Sequence, residues 1–497
     1  MNQPLVPSSP GPPGPRGRSL AAWVIIVLLA ALAMAPQFLD LEPAASDADD
    51  PIGLVLMRMQ SQYMLGIAGL LGDAQKVYDR ADALNVGTIG QRQRFVVLAG
   101  ELAGAAEASQ VLVAICELLE SERSRGTDAA PELTARQSSV QQILRLLYPP
   151  HIDPDAEDAE AAQLERVAGL SSEQRSLLVA ELEWFGDLAL APAGGDESGR
   201  QAVLGDARRV AFVMIGGVLL LGMAGLVGAA GLVAVSVAAY RGALSGGLDT
   251  ARGHHGIYAE TFAVWFSLFL GLQLAGGILA AWVGGPELLA SLVGFMASLV
   301  ALRWPVYRGI PWEDVCRDIG LTRGSSPLLE PLVGAAGYLM ALPLVAVGIG
   351  LTLVLLLIQS ALSSPESPFS ASSGPAHPIV LELAGSGWGP KLTVLLLASV
   401  AAPLVEETMF RGVLYRHLRD STARLGRPLS VLAAGSLNAL LFAAIHPQGW
   451  IAIPALMSLA YSFVLLREWR GTLIPSMVAH GISNGIVMLL LISILSG

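Results

Sequence analysis

Charge is scarce in this sequence. Only 14% of its 497 residues are Asp, Glu, Lys or Arg, against about a quarter in an ordinary soluble domain, and 53% are hydrophobic. That deficit excludes a water-soluble globular protein as a description of the whole chain. Cysteine is scarcer still. Cys116 and Cys316 lie in unrelated contexts, so neither a disulfide framework nor a thiolate metal site can be built from them. The zincin motif HExxH is absent, which excludes that placement of two histidines and a glutamate on one helix. No pair of related halves with interrupted hydrophobic segments is visible, as a transporter would require. Composition alone names no cofactor.

Long apolar runs are present instead, several of them 17 residues or longer, and they mark a polytopic membrane protein. The expected fold class is all-α: a helical membrane protein with an inserted extracytoplasmic helical domain. Residues 1–18 form a Pro/Gly-rich tail that cannot build a core, placed in the cytoplasm. Residues 19–35, SLAAWVIIVLLAALAMA, are read as a first transmembrane helix running outward, since Arg16 and Arg18 precede it. Ala33-Met34-Ala35 resembles a signal-peptidase site, but Pro36 just past it argues for retention.

Between residues 36 and 205 lie 27 of the 41 acidic residues but only 12 of the 30 lysines and arginines. This segment reads as an acidic, helical, extracytoplasmic domain, and its charge excludes nucleic acid as a partner. Helical stripes cover 51–84, 91–122, 132–147, 159–168 and 173–190, with Ser171 or Ser172 as a cap for the last. The acidic stretch 152–162 is a solvated loop and helix start. No chemistry is visible in this domain, which reads as a packing or tethering module, with substrate capture or regulation as the alternative.

Residues 206–389 hold spans of unassigned role, and 390–495 hold the segments with chemistry. Spans are expected at 210–240, 257–283, 287–303, 329–360, 391–415, 430–446, 451–467 and 473–495, nine with the first helix. The alternation then places 241–256, 304–328, 416–429 and 467–472 in the cytoplasm. Those loops carry Arg241, Arg252, Arg308, Arg317, Arg323, Arg416, Arg419, Arg424, Arg427, Arg467 and Arg470, whereas the outer loops offer little beyond Lys391. The asymmetry obeys the positive-inside rule. Glycines in 216–231 suit close helix packing. Residues 361–389 form a Pro/Ser-rich outer loop that shapes an entrance or simply connects.

Three apolar segments carry polar groups that lipid does not explain. The first, 391-KLTVLLLASVAAPLVEETMFRGVLYRHLRD-420, contains Glu406, Glu407 and Arg411. Ionisable residues inside a span are costly and mark function. Glu407 and Arg411 are four apart and can pair on one helix face, while Glu406 points about 100° away. The second segment ends on Phe442 and His446, and the third holds His480 and Asn484, again four apart. A lone histidine at a helix end is more often a satisfied helix-end residue than a ligand; the combination is what counts. A carboxylate, two imidazoles and a carboxamide could activate a water and stabilise an oxyanion. Alternatively, Glu406, His446 and His480 could hold a divalent metal such as zinc, if the reaction uses one. His254, His255 and His417 fall in cytoplasmic loops and are read as surface residues.

Glu406-Glu407-x-x-x-Arg411, Phe442-x-x-x-His446 and His480-x-x-x-Asn484 together resemble the three motifs of the CAAX-protease and bacteriocin-processing (CPBP, or Abi) family of intramembrane endopeptidases. The resemblance covers about the last fifth of the chain, 390–492. It implies hydrolysis of membrane-embedded, membrane-associated or lipid-modified peptides, with the bilayer and a peptide substrate as partners. Glu406 would activate water, His446 and His480 would assist, Asn484 would face the water or oxyanion, and Arg411 would support the carboxylates. Family members are often called metalloproteases, and the cofactor is either none or a divalent metal. Eukaryotic relatives remove the last three residues of prenylated CaaX proteins. The alternative is a catalytically inactive immunity or scaffold protein that keeps the fold. One tension remains in the spans: Glu406 and His480 lie toward the cytoplasmic half, but His446 falls near the outer end of 430–446. A shared site requires that span to start deeper, tilt or break.

Overall fold

A computed structural model describes residues 16–37, 51–124, 132–150, 152, 159–243, 247–248, 256–283, 287–362, 380, 383 and 386–495. Every regular element among them is helical, and eight helices are long and apolar enough to cross a membrane. The protein is an all-α, multi-pass membrane protein. The ninth expected span, the first helix, is the short one. Its apolar stretch Arg18–Met34 is about 25 Å long at 1.5 Å per residue, below the ~30 Å hydrocarbon thickness. His254, His255, most of 361–389 and residues 153–158 of the acidic stretch lie outside the described residues.

Two compact units emerge. One is Met1–Leu41, Leu219–Ala361 and Ser386–Leu489; the other is Glu42–Val218, Leu362–Gly385 and Leu490–Gly497. The second unit is a helical bundle whose helices are shorter than the sequence stripes. The stripe 51–84 breaks between Pro51–Leu71 and Ala74–Ala81, where Gly72 takes a φ of 67° and the Asp73 side chain caps the new helix. The stripe 91–122 breaks at Gly104, φ 93°, and 173–190 breaks at Glu183, φ 53°. Residues at positive φ cannot continue a right-handed helix, and apolar periodicity alone does not register such a break. Ser171 caps Ser172–Leu182 through a reciprocal capping box with Gln174. Phe95, Leu98, Leu144, Leu178 and Phe185 are buried at the centre of this bundle.

In the membrane unit the first helix, Arg16–Met34, buries Ala22, Ile26 and Ala30 in the same core as Tyr258, Phe262, Trp265 and Phe266 of Ile257–Val283. Small residues on one stripe let the two helices approach. From there an aromatic chain runs to the site. Phe262 meets Phe410 edge-on with centroids 5.2 Å apart, and Phe410 meets Phe442 edge-on at 5.1 Å, the geometry aromatic quadrupoles favour.

Several arginines assigned to cytoplasmic loops are helical, and three of them are buried. Arg416 and Arg419, both buried, lie on Tyr415–Thr422, and buried Arg467 and half-buried Arg470 occupy the last turn of Ile453–Arg470. The helices extend past their apolar stretches because the charges find partners. Arg419 makes two hydrogen bonds to Glu468, at 3.0 and 3.1 Å, and Tyr415 donates a third at 3.0 Å. Arg470 grips Glu330 at 2.8 and 3.0 Å. His417 is likewise buried at 7% exposure rather than on the surface, and its Nε2 accepts the Trp23 indole N–H at 3.2 Å. The glycine-rich stretch 216–231 is only partly used for packing. A Cβ at Gly228 would collide with the Leu339 carbonyl, whereas Gly216 and Gly222 have nothing within reach.

Candidate active site

The site is built on one continuous helical run, Trp388–Leu425, crossed by Arg427–Ala444 and Ile474–Leu495. That run is not a regular α-helix. Leu397–Ala401 and Glu407–Leu414 are π-helical, and such widened turns are frequent at functional sites. Each is tied by an asparagine from a neighbouring helix. Asn438 Nδ2 donates to the Phe410 carbonyl at 2.8 Å, and Asn484 Nδ2 donates to the Ala398 carbonyl at 2.9 Å. A side-chain donor aimed at an irregular backbone carbonyl inside a membrane domain both satisfies that carbonyl and fixes the helix pair.

The second widened turn carries the charges. Glu407 and Arg411 are completely buried, and Arg411 Nη1 lies 2.9 Å from Glu407 Oε1. The other guanidinium nitrogen, Nη2, donates to the Ala460 carbonyl at 3.2 Å. Phe442 and Phe463 flank the guanidinium, with centroids 4.3 and 5.2 Å from its carbon. Desolvated cation–π contacts of this kind are worth about 2 kcal/mol. Paired carboxylate and aromatic faces together make a buried arginine tolerable.

His480 stands between the two glutamates. Its Nδ1–H donates to Glu407 Oε1 at 2.8 Å, and its Nε2 is 3.7 Å from Glu406 Oε2. Phe463 stacks on the imidazole at 5.0 Å. With Nδ1 on the Glu407 carboxylate, Nε2 is the ring nitrogen that faces Glu406. A separation of 3.7 Å is too long for a direct hydrogen bond and suits a bridging water. Glu406 is the more open of the carboxylates, at 16% side-chain exposure against 0% for Glu407.

His446 is not in a helix. Arg427–Ala444 ends two residues before it, and the imidazole folds back so that Nδ1–H donates to the Phe442 carbonyl at 2.6 Å. Its ring lies 4.2 Å from that of Phe442, which also contacts His480 at 6.0 Å. The tension in the spans is resolved this way: the helix stops short, and His446 is joined to the cluster through Phe442. The structure therefore brings Glu406, Glu407, Arg411 and His480 into direct contact, adds His446 through Phe442, and places Asn484 one turn along the His480 helix against Ala398.

A zinc site on Glu406, His446 and His480 needs three donors converging on one point. Among the described residues no three His, Cys, Asp or Glu side chains are so placed. The Nδ1 atoms of His446 and His480 lie on the Phe442 carbonyl and on Glu407, so Nε2 would be the ligating atom of either ring were a metal held.

A family description, Rce1-like type II CAAX prenyl endopeptidase, matches residues 388–486. That segment belongs to the CAAX-protease family. The match spans all three motifs, from just before the first widened turn to just after Asn484. No curated protein and no solved structure matches the chain. The CAAX-protease segment covers about a fifth of the chain, and the other helices of the membrane unit lie outside it.

Asn438 escaped the sequence reading, although it is a lone carboxamide in an apolar span and fully buried. The argument that singled out Asn484, that a polar side chain in a lipid-compatible helix has work to do, applies equally to it. Phe463 carried no such signal, since one more aromatic in an apolar helix is unremarkable.

Close approach of the CAAX-protease helices depends on Gly481. A Cβ there would lie 2.6 Å from the Ser399 carbonyl, so Gly481→Ala must push Ile474–Leu495 away from Leu397–Ala401 and stretch the Asn484 bond. Overpacking of this kind costs about 1–3 kcal/mol. Thermal unfolding in detergent should show a lower midpoint than the native protein, and an unchanged midpoint would refute the contact.

Proposed function

We propose that this protein is an intramembrane endopeptidase in which Glu406 and His480 activate a water molecule. The observation that carries the reading is His480 held at Nδ1 by Glu407 while Nε2 faces Glu406 across 3.7 Å. In the proposed reaction, water bridges these two groups and gives a proton to Glu406 as its oxygen attacks the peptide carbonyl carbon. The new C–O bond yields a tetrahedral oxyanion. When the C–N bond breaks, the proton on Glu406 passes to the departing amine, so atoms and charge balance without a further reagent. Glu407 and Arg411 hold the imidazole and do not exchange protons with substrate. Asn484 has one N–H on Ala398 and a second to offer the water or oxyanion. His446, with Nδ1 on the Phe442 carbonyl, is assigned an assisting role beside His480.

The substrates proposed are membrane-associated peptides, lipid-modified ones included, because the reacting groups belong to membrane-spanning helices and the matching family is described by prenyl substrates. Arginines concentrated at alternate helix ends support a cytoplasmic N-terminus and an outer location for residues 36–205. The test is cleavage by purified, detergent-solubilised protein of an internally quenched prenylated CaaX peptide, alongside its unprenylated counterpart. Cleavage of either supports the peptidase. No cleavage of these or of a panel of transmembrane peptides would instead favour a scaffold or immunity protein that keeps the fold.

A further inference from the structure

We propose that Gln37, at the end of the first helix and about 400 residues away in sequence, is a positioning residue for His446. The argument begins with a helix end. Arg427–Ala444 stops at Ala444, and the last carbonyls of a helix have no partner within it. His446 follows in the turn, where its backbone N–H makes only a 3.3 Å bond to Ala443. Left so, the turn would fray, and the imidazole with it. Gln37 closes it. Its Nε2 donates to the His446 carbonyl at 2.8 Å and to the Ala444 carbonyl at 3.3 Å. Both acceptors are carbonyl oxygens, which fixes the amide orientation with Nε2 toward them.

The donor stands on a rigid support. Ala35–Gln37 is a single tight turn continuing the first helix. That helix is anchored through buried Ala22, Ile26 and Ala30 and through the Trp23 bond to His417. One helix outside the matching segment therefore clasps it twice, at His417 through Trp23 and at the His446 turn through Gln37. His446 is held through its ring on Phe442, its ring N–H on the Phe442 carbonyl, and its own carbonyl on Gln37. The last of these comes from another helix, so Gln37 ties the turn to an element outside residues 388–486.

This inference rests on the peptidase reading for its kinetic consequence but not for its structural one, and the experiment separates them. Gln37→Met keeps the length and removes both donors; Gln37→Glu keeps the shape and replaces donors with acceptors. The first measurement is the rate at which diethyl pyrocarbonate carbethoxylates His446 in the full-length protein, read by peptide mass spectrometry with His480 as internal control. Both variants should modify His446 several-fold faster with His480 unchanged. The second measurement is cleavage of the quenched prenylated peptide, where kcat should fall about ten- to a hundredfold, as for a misplaced reacting group, with KM little altered. An unchanged His446 rate in both variants overturns the proposal whatever the kinetics. A faster His446 rate with native kcat in an active enzyme overturns it too, since the turn would be held without consequence for the reaction. If the native protein cleaves nothing, the peptidase reading fails, and the holding of His446 by Gln37 stands or falls on the modification rate alone.

Discussion

Glu406→Gln should abolish most peptide hydrolysis, lowering kcat about 10²–10⁴-fold, the range usual for loss of a general base. Glutamine has nearly the same shape and keeps one carbonyl oxygen, but it cannot take a proton from water. The fold should survive, because among the described residues Glu406 makes no direct hydrogen bond, and its Oε2 lies 3.7 Å from His480 Nε2. KM should change little, since the carboxylate acts on water rather than on substrate. His480→Ala removes the other side of the water site and should cost a comparable factor. The two losses should not multiply in the double variant, because both residues serve one water. Single-turnover cleavage of the quenched peptide by native and variant proteins, matched by thermal midpoint, measures this. Equal rates for native protein and Glu406→Gln would remove Glu406 from the reaction.

Arg411→Ala should be the most destabilising single change in the site. It strips the counter-charge from a carboxylate with 0% exposure and empties a slot lined by Phe410, Phe442 and Phe463. Breaking a buried ion pair by removing one partner costs about 3–5 kcal/mol, most of it from the charge left behind. Arg411→Lys should not rescue it, because an ammonium cannot both reach the Ala460 carbonyl and lie flat between two aromatic rings. The double change Glu407→Gln with Arg411→Met removes both charges and should recover much of the stability. It should not recover full activity, since His480 Nδ1 would then rest on a neutral amide. Chemical or thermal unfolding of the four proteins in detergent gives the coupling between positions 407 and 411 directly. A coupling near zero would mean that the pair contributes nothing beyond its members.

The chemistry was legible in the sequence because lipid makes it conspicuous. In a span where every neighbour is apolar, Glu406, Glu407, Arg411, His480 and Asn484 stand out without any alignment, and spacings of four place Glu407 with Arg411 and His480 with Asn484. The pairing of Glu407 with Arg411 is present in the structure at 2.9 Å. The partner of His480 was harder to read. Helix phase assigns Glu406 to the histidines and Glu407 to the arginine, yet Glu407 Oε1 serves both Arg411 and His480. A π-helical turn shifts the phase of everything after it, and nothing in residue spacing announces such a turn. His417 and Arg467 were misjudged for a related reason. A charge near the end of an apolar run looks like the start of a loop until a partner is found, and Trp23 and Asp318 lie hundreds of residues or another helix away.

What the sequence determined by itself is the class of protein and the identity of its polar groups. Low charge, long apolar runs and intramembrane carboxylates follow from composition and order, because the cost of polar atoms in lipid acts on each residue separately. The tertiary structure decided which polar groups meet, and that a glutamine after the first helix reaches the turn of His446. Those are properties of distances between helices. They are set by where Gly481 and Gly228 allow backbones to approach and where Asn438 and Asn484 pin the widened turns, and no local pattern along the chain encodes them.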